Sequence, residues 1–161
     1  MNKSRFHAVG GSPKPQAGVA AVELALLLPI LLGFLTLGVF TVSIFWHYTM
    51  AQKAAQDAAR YLSTVSSAEM MNPASAEEAG SLAQQIVRKE IAEISPDSAV
   101  VSRRIETFCD DSNCGGLDAG KLPSTVRVKF SVSMFDPSGL VDTGWYGLQI
   151  TTNYTMRYVG N

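Results

Sequence analysis

Charge is scarce in this chain, and the scarcity is local. Asp, Glu, Lys and Arg make up 17% of the 161 residues, against roughly 25% in soluble domains. Between Lys14 and Lys53 the only formal charge is Glu23. Lys3, Arg5 and Lys14 stand ahead of that gap with no acidic residue among them, and the rest of the chain carries more acid than base. No clustered basic face is left over for a nucleic acid, so none is expected as a partner. Histidine is just as sparse. His7 and His47 are the two in the chain, so the region after residue 48 has no Ser-His or Cys-His nucleophile pair. No Walker or Rossmann pattern occurs, which leaves no expectation of a cofactor or of catalytic residues. The acidic pair Glu77 and Glu78 falls in the first turn of a predicted helix, where it complements the helix dipole.

What fills the uncharged gap is aliphatic. From Leu24 to Phe45 there is no charge at all. As a helix rising about 1.5 Å per residue, this run spans roughly 33 Å, enough to cross a hydrocarbon core about 30 Å thick. Trp46 and Tyr48 follow at once, as amphipathic rings do at the headgroup level. The basic excess upstream favours a cytoplasmic N-terminus and an exported C-terminal part. A cleaved secretory signal would have a shorter apolar core followed by small residues; here the run leads into Ile44, Phe45, Trp46 and His47. The organisation expected is a basic leader over 1–18, a transmembrane helix over 19–48 and an exported domain over 49–161. Pro29 removes one backbone bond and can kink the helix. Gly33 and Gly38 are small enough to let membrane helices approach closely, although ordinary transmembrane composition contains such residues too.

Glu23 sits at the apolar boundary, where a carboxylate is costly unless protonated, paired or at headgroup level. The residues around it read Gln16-Ala17-Gly18-Val19-Ala20-Ala21-Val22-Glu23-Leu24. A basic leader, a Gly, a Glu at the fifth position after it and a long apolar helix resemble the processing site of type IV prepilins and pseudopilins. The resemblance implies cleavage after Gly18 by a prepilin peptidase and a mature chain that begins at Val19. The longer stretch AVELALLLPILLGFLTLGVF, then MAQKAAQDAARYLS, resembles the start of the TadE-like family of the tight-adherence (Flp) pilus system. Leu24 stands where that family commonly has Phe or Tyr. The ending around Thr155-Met156-Arg157 is also similar to the family's. The resemblance covers Gly18 to Tyr61 and implies a non-catalytic, pseudopilin-like component of a pilus assembly machine in the bacterial inner membrane. Other pseudopilins or pilus assembly proteins would be its partners, with self- or hetero-assembly. The competing reading is an unprocessed, signal-anchored periplasmic binding or enzymatic domain unrelated to pili.

Beyond the membrane segment the pattern predicts an α+β domain of helices packed on a small antiparallel sheet. Ala51, Ala54, Ala55, Ala58, Ala59 and Leu62 share one helical face. That face is expected to pack on the protein's own sheet, with a neighbouring subunit as the alternative. Residues 63–74 read as a loop. A second helix is expected to start at a Ser75–Glu78 capping box, to bury Ala79, Leu82, Ala83, Ile86, Val87, Ile91 and Ile94, and to stop at Pro96. An irregular strand is expected over Val100 to Phe108. Alternation places Val126, Val128, Phe130, Val132 and Met134 on one strand face, and Leu148, Ile150, Tyr154, Met156 and Tyr158 on another. The only cysteines, Cys109 and Cys114, read as a disulfide in an exported domain. Free thiols and a metal site are the alternatives. Zinc would need four ligands, with no His nearby, and Asp110, Asp111 and Asn113 lack the spacing of an EF-hand loop. Trp145 and Tyr146, on a loop from Asp136 to Gly147, are expected to cap the sheet's core, with a partner-binding role as the alternative.

Overall fold

The structure is a computed structural model and describes residues 17–94, 100–136 and 142–160. The basic leader before residue 17, the Pro96 stop and the middle of the Asp136–Gly147 loop lie outside the described residues. The fold is α+β. Helix α1 runs Ala17–Thr64, a short α2 Ser67–Met70 and α3 Pro73–Ile94. Strands β1 Val100–Cys109, β2 Ser112–Asn113, β3 Thr125–Met134 and β4 Leu148–Arg157 form one sheet in the order β2-β1-β3-β4. Every neighbouring pair is antiparallel. The chain divides into two compact units, Met1–Gly38 and Val39–Asn161, and the division falls inside α1.

The core of the second unit joins the alanine face of α1 to the inner face of the sheet. Ala54, Ala55, Ala58, Ala59 and Leu62 are fully buried in one cluster with Val126, Val128, Phe130, Val132 and Met134. The five β3 residues are the ones that strict alternation selects, because a central strand turns every second side chain inward. Alanine suits the helix side: with no bulk beyond Cβ, the backbone can approach the sheet closely. The alanine face therefore belongs to this chain's own core and is not a surface left for a neighbour. α3 buries a narrower stripe of Ala76, Ala79, Ala83, Val87 and Ile91. At Gly80 a Cβ would come within 2.9 Å of the Thr107 Oγ1, so glycine sets how close α3 lies to β1.

Three local expectations are corrected. Residues 63–74 are not a plain loop, because they hold the end of α1 and the whole of α2. The capping pattern used there is Ser66–Glu69: the Ser66 hydroxyl accepts from the Glu69 N–H at 3.3 Å and donates to its carboxylate at 2.8 Å. α3 starts at Pro73, not at the Ser75–Glu78 box. Asn72 Oδ1 accepts from the Ala74 N–H at 3.1 Å, and Pro73 takes the first helical position, where its missing N–H costs nothing. Leu82 is 41% exposed rather than buried in the α3 stripe, because the stripe rotates away from it.

The termini of these elements are tied at one end of the unit. The Val159 and Gly160 N–H groups both donate to the Ser63 carbonyl, and the Tyr158 hydroxyl donates to the Val65 carbonyl at 2.8 Å. The end of β4 is thus fastened to the end of α1.

Candidate functional site

The first part of α1 carries the residues singled out by the sequence. Gly18, Val19 and Glu23 lie in its first turns and are exposed, Val19 at 65%. A Cβ on Gly18, Gly33 or Gly38 would meet nothing within 4 Å. None of the three has a positive φ. Glycine inside a helix costs roughly 0.5–1 kcal/mol relative to alanine, so packing among the described residues gives no reason for these glycines. Pro29 stands inside the helix and removes the N–H that would bond the Ala25 carbonyl. Further along, the Thr36 hydroxyl donates to the Leu32 carbonyl at 2.8 Å.

The side chains around this segment are apolar on every side. Leu24, Leu26, Leu27, Ile30, Leu31, Phe34 and Leu35 are all more than half exposed. A helix that is apolar all round belongs in a core or in a membrane, and this stretch is not in the core. It is the one helix among the described residues long and apolar enough to cross a membrane, as a single-pass anchor requires.

Further along α1, His47 turns its Nδ1 onto the Ser43 carbonyl at 2.7 Å. A carbonyl only accepts, so that nitrogen is the donor in this contact. Trp46, Met50 and Lys53 of α1 and Glu90 and Glu93 of α3 line a cavity of about 400 Å³. Burial pushes the Glu90 carboxyl above its ordinary pKa, Asp57 and Glu93 add to the rise, and Lys53 opposes it. A shallower apolar recess of about 260 Å³ lies over Tyr61, Leu82 and Ile86. Burial also raises the Tyr61 phenol, with Glu69 and Glu78 contributing.

At the other sequence-marked position, Cys109 and Cys114 are joined in a disulfide with their Cα atoms 4.7 Å apart, and both are buried. The bond closes the tight hairpin in which Cys109 pairs with Ser112. Asp110, at the first turn position, has φ +56°, a region Asp tolerates better than most residues. Its Oδ1 accepts from the Ser124 N–H at 2.8 Å, the Ser124 hydroxyl at 2.6 Å and the Thr125 N–H at 2.9 Å. The Ser124 hydroxyl is the main reason its pKa falls below the usual carboxylate value, and the two backbone N–H groups add to it against the opposing effect of burial. Asp110 is therefore a clasp between the hairpin and the start of β3. Sequence reasoning weighed it only as a cation ligand. Among the described residues no three His, Cys, Asp or Glu side chains come together as metal ligands.

Trp145 does not cap the sheet. It is 92% exposed, and Tyr146 is 58% exposed. The Gly147 N–H donates to the Gly144 carbonyl at 3.2 Å, and the Gly144 N–H to the Asp142 carboxylate at 2.8 Å. The two rings thus occupy the tip of a tight turn whose flanking glycines have φ +69° and +70°. The turn's base is pressed on β3, where a Cβ at Gly147 would be 2.5 Å from the Met134 carbonyl oxygen, and its tip carries the exposed rings.

No curated protein and no solved structure matches the chain. One family model does, that of the TadE-like proteins: it matches residues 18–60, from Gly18 along the exposed apolar helix into the alanine face.

Proposed function

We propose that the chain is a pseudopilin-like minor subunit or assembly factor of a tight-adherence pilus, cut after Gly18 by a prepilin peptidase and structural rather than catalytic in its role. The observation that carries this reading is the family match that starts at Gly18, on a helix whose glycines at 18, 33 and 38 answer to nothing in the chain's own packing. A glycine the fold does not need is accounted for by a partner: a peptidase that reads Gly18, and neighbouring helices that approach at Gly33 and Gly38.

The chemistry of the cut supports the same reading. Hydrolysis after Gly18 leaves an amine at Val19 that is cationic at neutral pH. Glu23 lies about one helical turn further on. Side by side in the inner membrane, the amine of one subunit neutralises Glu23 of the next, and a buried carboxylate with a cationic partner costs far less than one alone. The pairing fixes one axial register between subunits. The N-terminus lies in the cytoplasm, and the α+β domain lies in the periplasm beyond Trp46 and Tyr48.

The test is the N-terminal sequence, by mass spectrometry, of protein recovered from native membranes. A start at Val19 that is lost in Gly18→Leu is the expected result. An intact leader beginning at Met1 or Asn2 refutes the processing, and a signal-anchored domain unrelated to pili then takes its place.

A further inference from the structure

Resting on the reading that α1 spans the bilayer with Trp46 at its exported surface, we infer that the Trp145–Tyr146 turn is a second membrane contact, with its rings seated among the lipid headgroups beside the point where α1 emerges. The topology of the second unit puts the turn at that end. β4 finishes where α1 finishes, at the Ser63 and Val65 carbonyls. From Ser63 back to Trp46, α1 covers about 26 Å. From Val159 back to Leu148, the extended chain covers roughly 36 Å. The turn that precedes Leu148 therefore reaches the level of Trp46, with up to about 10 Å to spare for the tilt of the strand across the helix.

The other elements give the same placement independently. α3 packs its Gly80 against Thr107 near the end of β1, and thirteen residues later Glu93 lines a cavity with Trp46 and Met50. β1 begins opposite Met134, at Val100, and Met134 pairs with Leu148. The start of β1, the end of β3, the start of β4, the end of α3 and Trp46 thus share one end of the unit.

The surface there has the chemistry of an interface contact. Trp145 is 92% exposed, and Tyr146, Leu148 and Phe135 are exposed beside it. Apolar groups clustered at one end of a domain seek a partner, and Trp and Tyr favour the headgroup level because each ring has an apolar body and a polar tip. The turn is held rather than loose: Gly147 is clamped on Met134, and Asp142 caps Gly144. Among the described residues the charges toward that end are of both signs, Glu90, Glu93 and Asp142 with Lys53 and the exposed Arg104 of β1, so no clustered basic face draws anionic lipid. The contact is therefore ring insertion into the headgroup layer, independent of lipid charge.

The chain has two tryptophans, Trp46 and Trp145, so each can be observed alone. The full chain is reconstituted in phosphatidylcholine vesicles, with or without a phosphatidylcholine brominated high on its acyl chains. In Trp46→Phe the emission comes from Trp145. The expected result is a blue-shifted spectrum that loses most of its intensity in brominated vesicles, unchanged when anionic lipid is added. In Trp145→Phe the emission comes from Trp46, which the same lipids quench if α1 spans. Quenching of Trp46 with a water-like or unquenched Trp145 overturns the inference and leaves the membrane reading standing. A Trp145 that is blue-shifted but unquenched points to a protein partner and overturns it equally. If neither tryptophan is quenched, the spanning reading fails and the inference fails with it.

Discussion

Asp110 and Thr152 show how much depends on single polar atoms. The Asp110 carboxylate accepts from Ser124 and Thr125 across the hairpin, and those donors hold its pKa below the usual value. A group whose folded pKa is lowered adds stability that is fully present above the unfolded value of about 3.9 and is lost as pH falls through the folded one. Asp110→Asn keeps a side chain that tolerates φ +56° and removes the charge. Its melting temperature should lie below that of the parent at neutral pH, and the gap should close below about pH 4. A gap that persists unchanged into acid would place the cause elsewhere than in ionisation. Thr152 is the opposite case. It is fully buried opposite Phe130, and its hydroxyl has no hydrogen-bond partner among the described residues. Thr152→Val replaces that hydroxyl with a methyl of similar shape, so denaturant unfolding should show a gain of about 1 kcal/mol. A loss would mean that the hydroxyl is satisfied.

At the scale of elements, the two strands on the sheet's inner face were read from the sequence with different success. β3 is central, so alternation marks its buried apolar residues, Val126 to Met134, and misses only the out-of-phase Ser133. β4 lies at the edge, where burial is only partial: Leu148 is 40% exposed while the polar Thr152 is fully buried. Apolarity is a sound guide in the middle of a sheet and a poor one at its rim. Two capping patterns of the same form, Ser66–Glu69 and Ser75–Glu78, stood in the sequence. Pro73, already favoured at a first helical position, made the second one redundant. Ring burial is the common outcome for a Trp, and nothing in the sequence pattern marks Trp145 as the tip of a turn whose base at Gly147 is pressed on the Met134 carbonyl. Gly147→Ala forces a Cβ to within 2.5 Å of that oxygen at φ +70° and should cost about 1–3 kcal/mol in unfolding free energy. The alanine face gives a second check. Ala58 is fully buried between α1 and the rest of the core, so Ala58→Leu overpacks it and should cost about 1–3 kcal/mol or more. A stable Ala58→Leu would mean that the face is looser than the structure has it.

For the whole molecule, the division of labour runs along α1. Its second part is spent on the chain's own core, and the alanines that might have met another subunit are covered. Its first part is apolar, exposed and supplied with glycines at which an added Cβ would meet none of the described residues within 4 Å. On the proposed reading lateral assembly falls to this first part, where Glu23 is the one charge between residues 18 and 38. Glu23→Ala removes no contact of the folded domain, so the protein should still fractionate with membranes and the domain should melt where the parent does. What should fall is lateral association, because the Val19 amine of each neighbour is left in an apolar layer without a counter-charge, at a cost of several kcal/mol. Cross-linking in intact membranes and a count of surface pili read this directly. Glu23→Gln separates charge from shape: it keeps the side chain's length and hydrogen bonding, so it should fail as Glu23→Ala does if charge neutralisation sets the register. Normal cross-linking and normal pili in either variant would refute the pairing and shift assembly onto the Gly33 and Gly38 contacts alone.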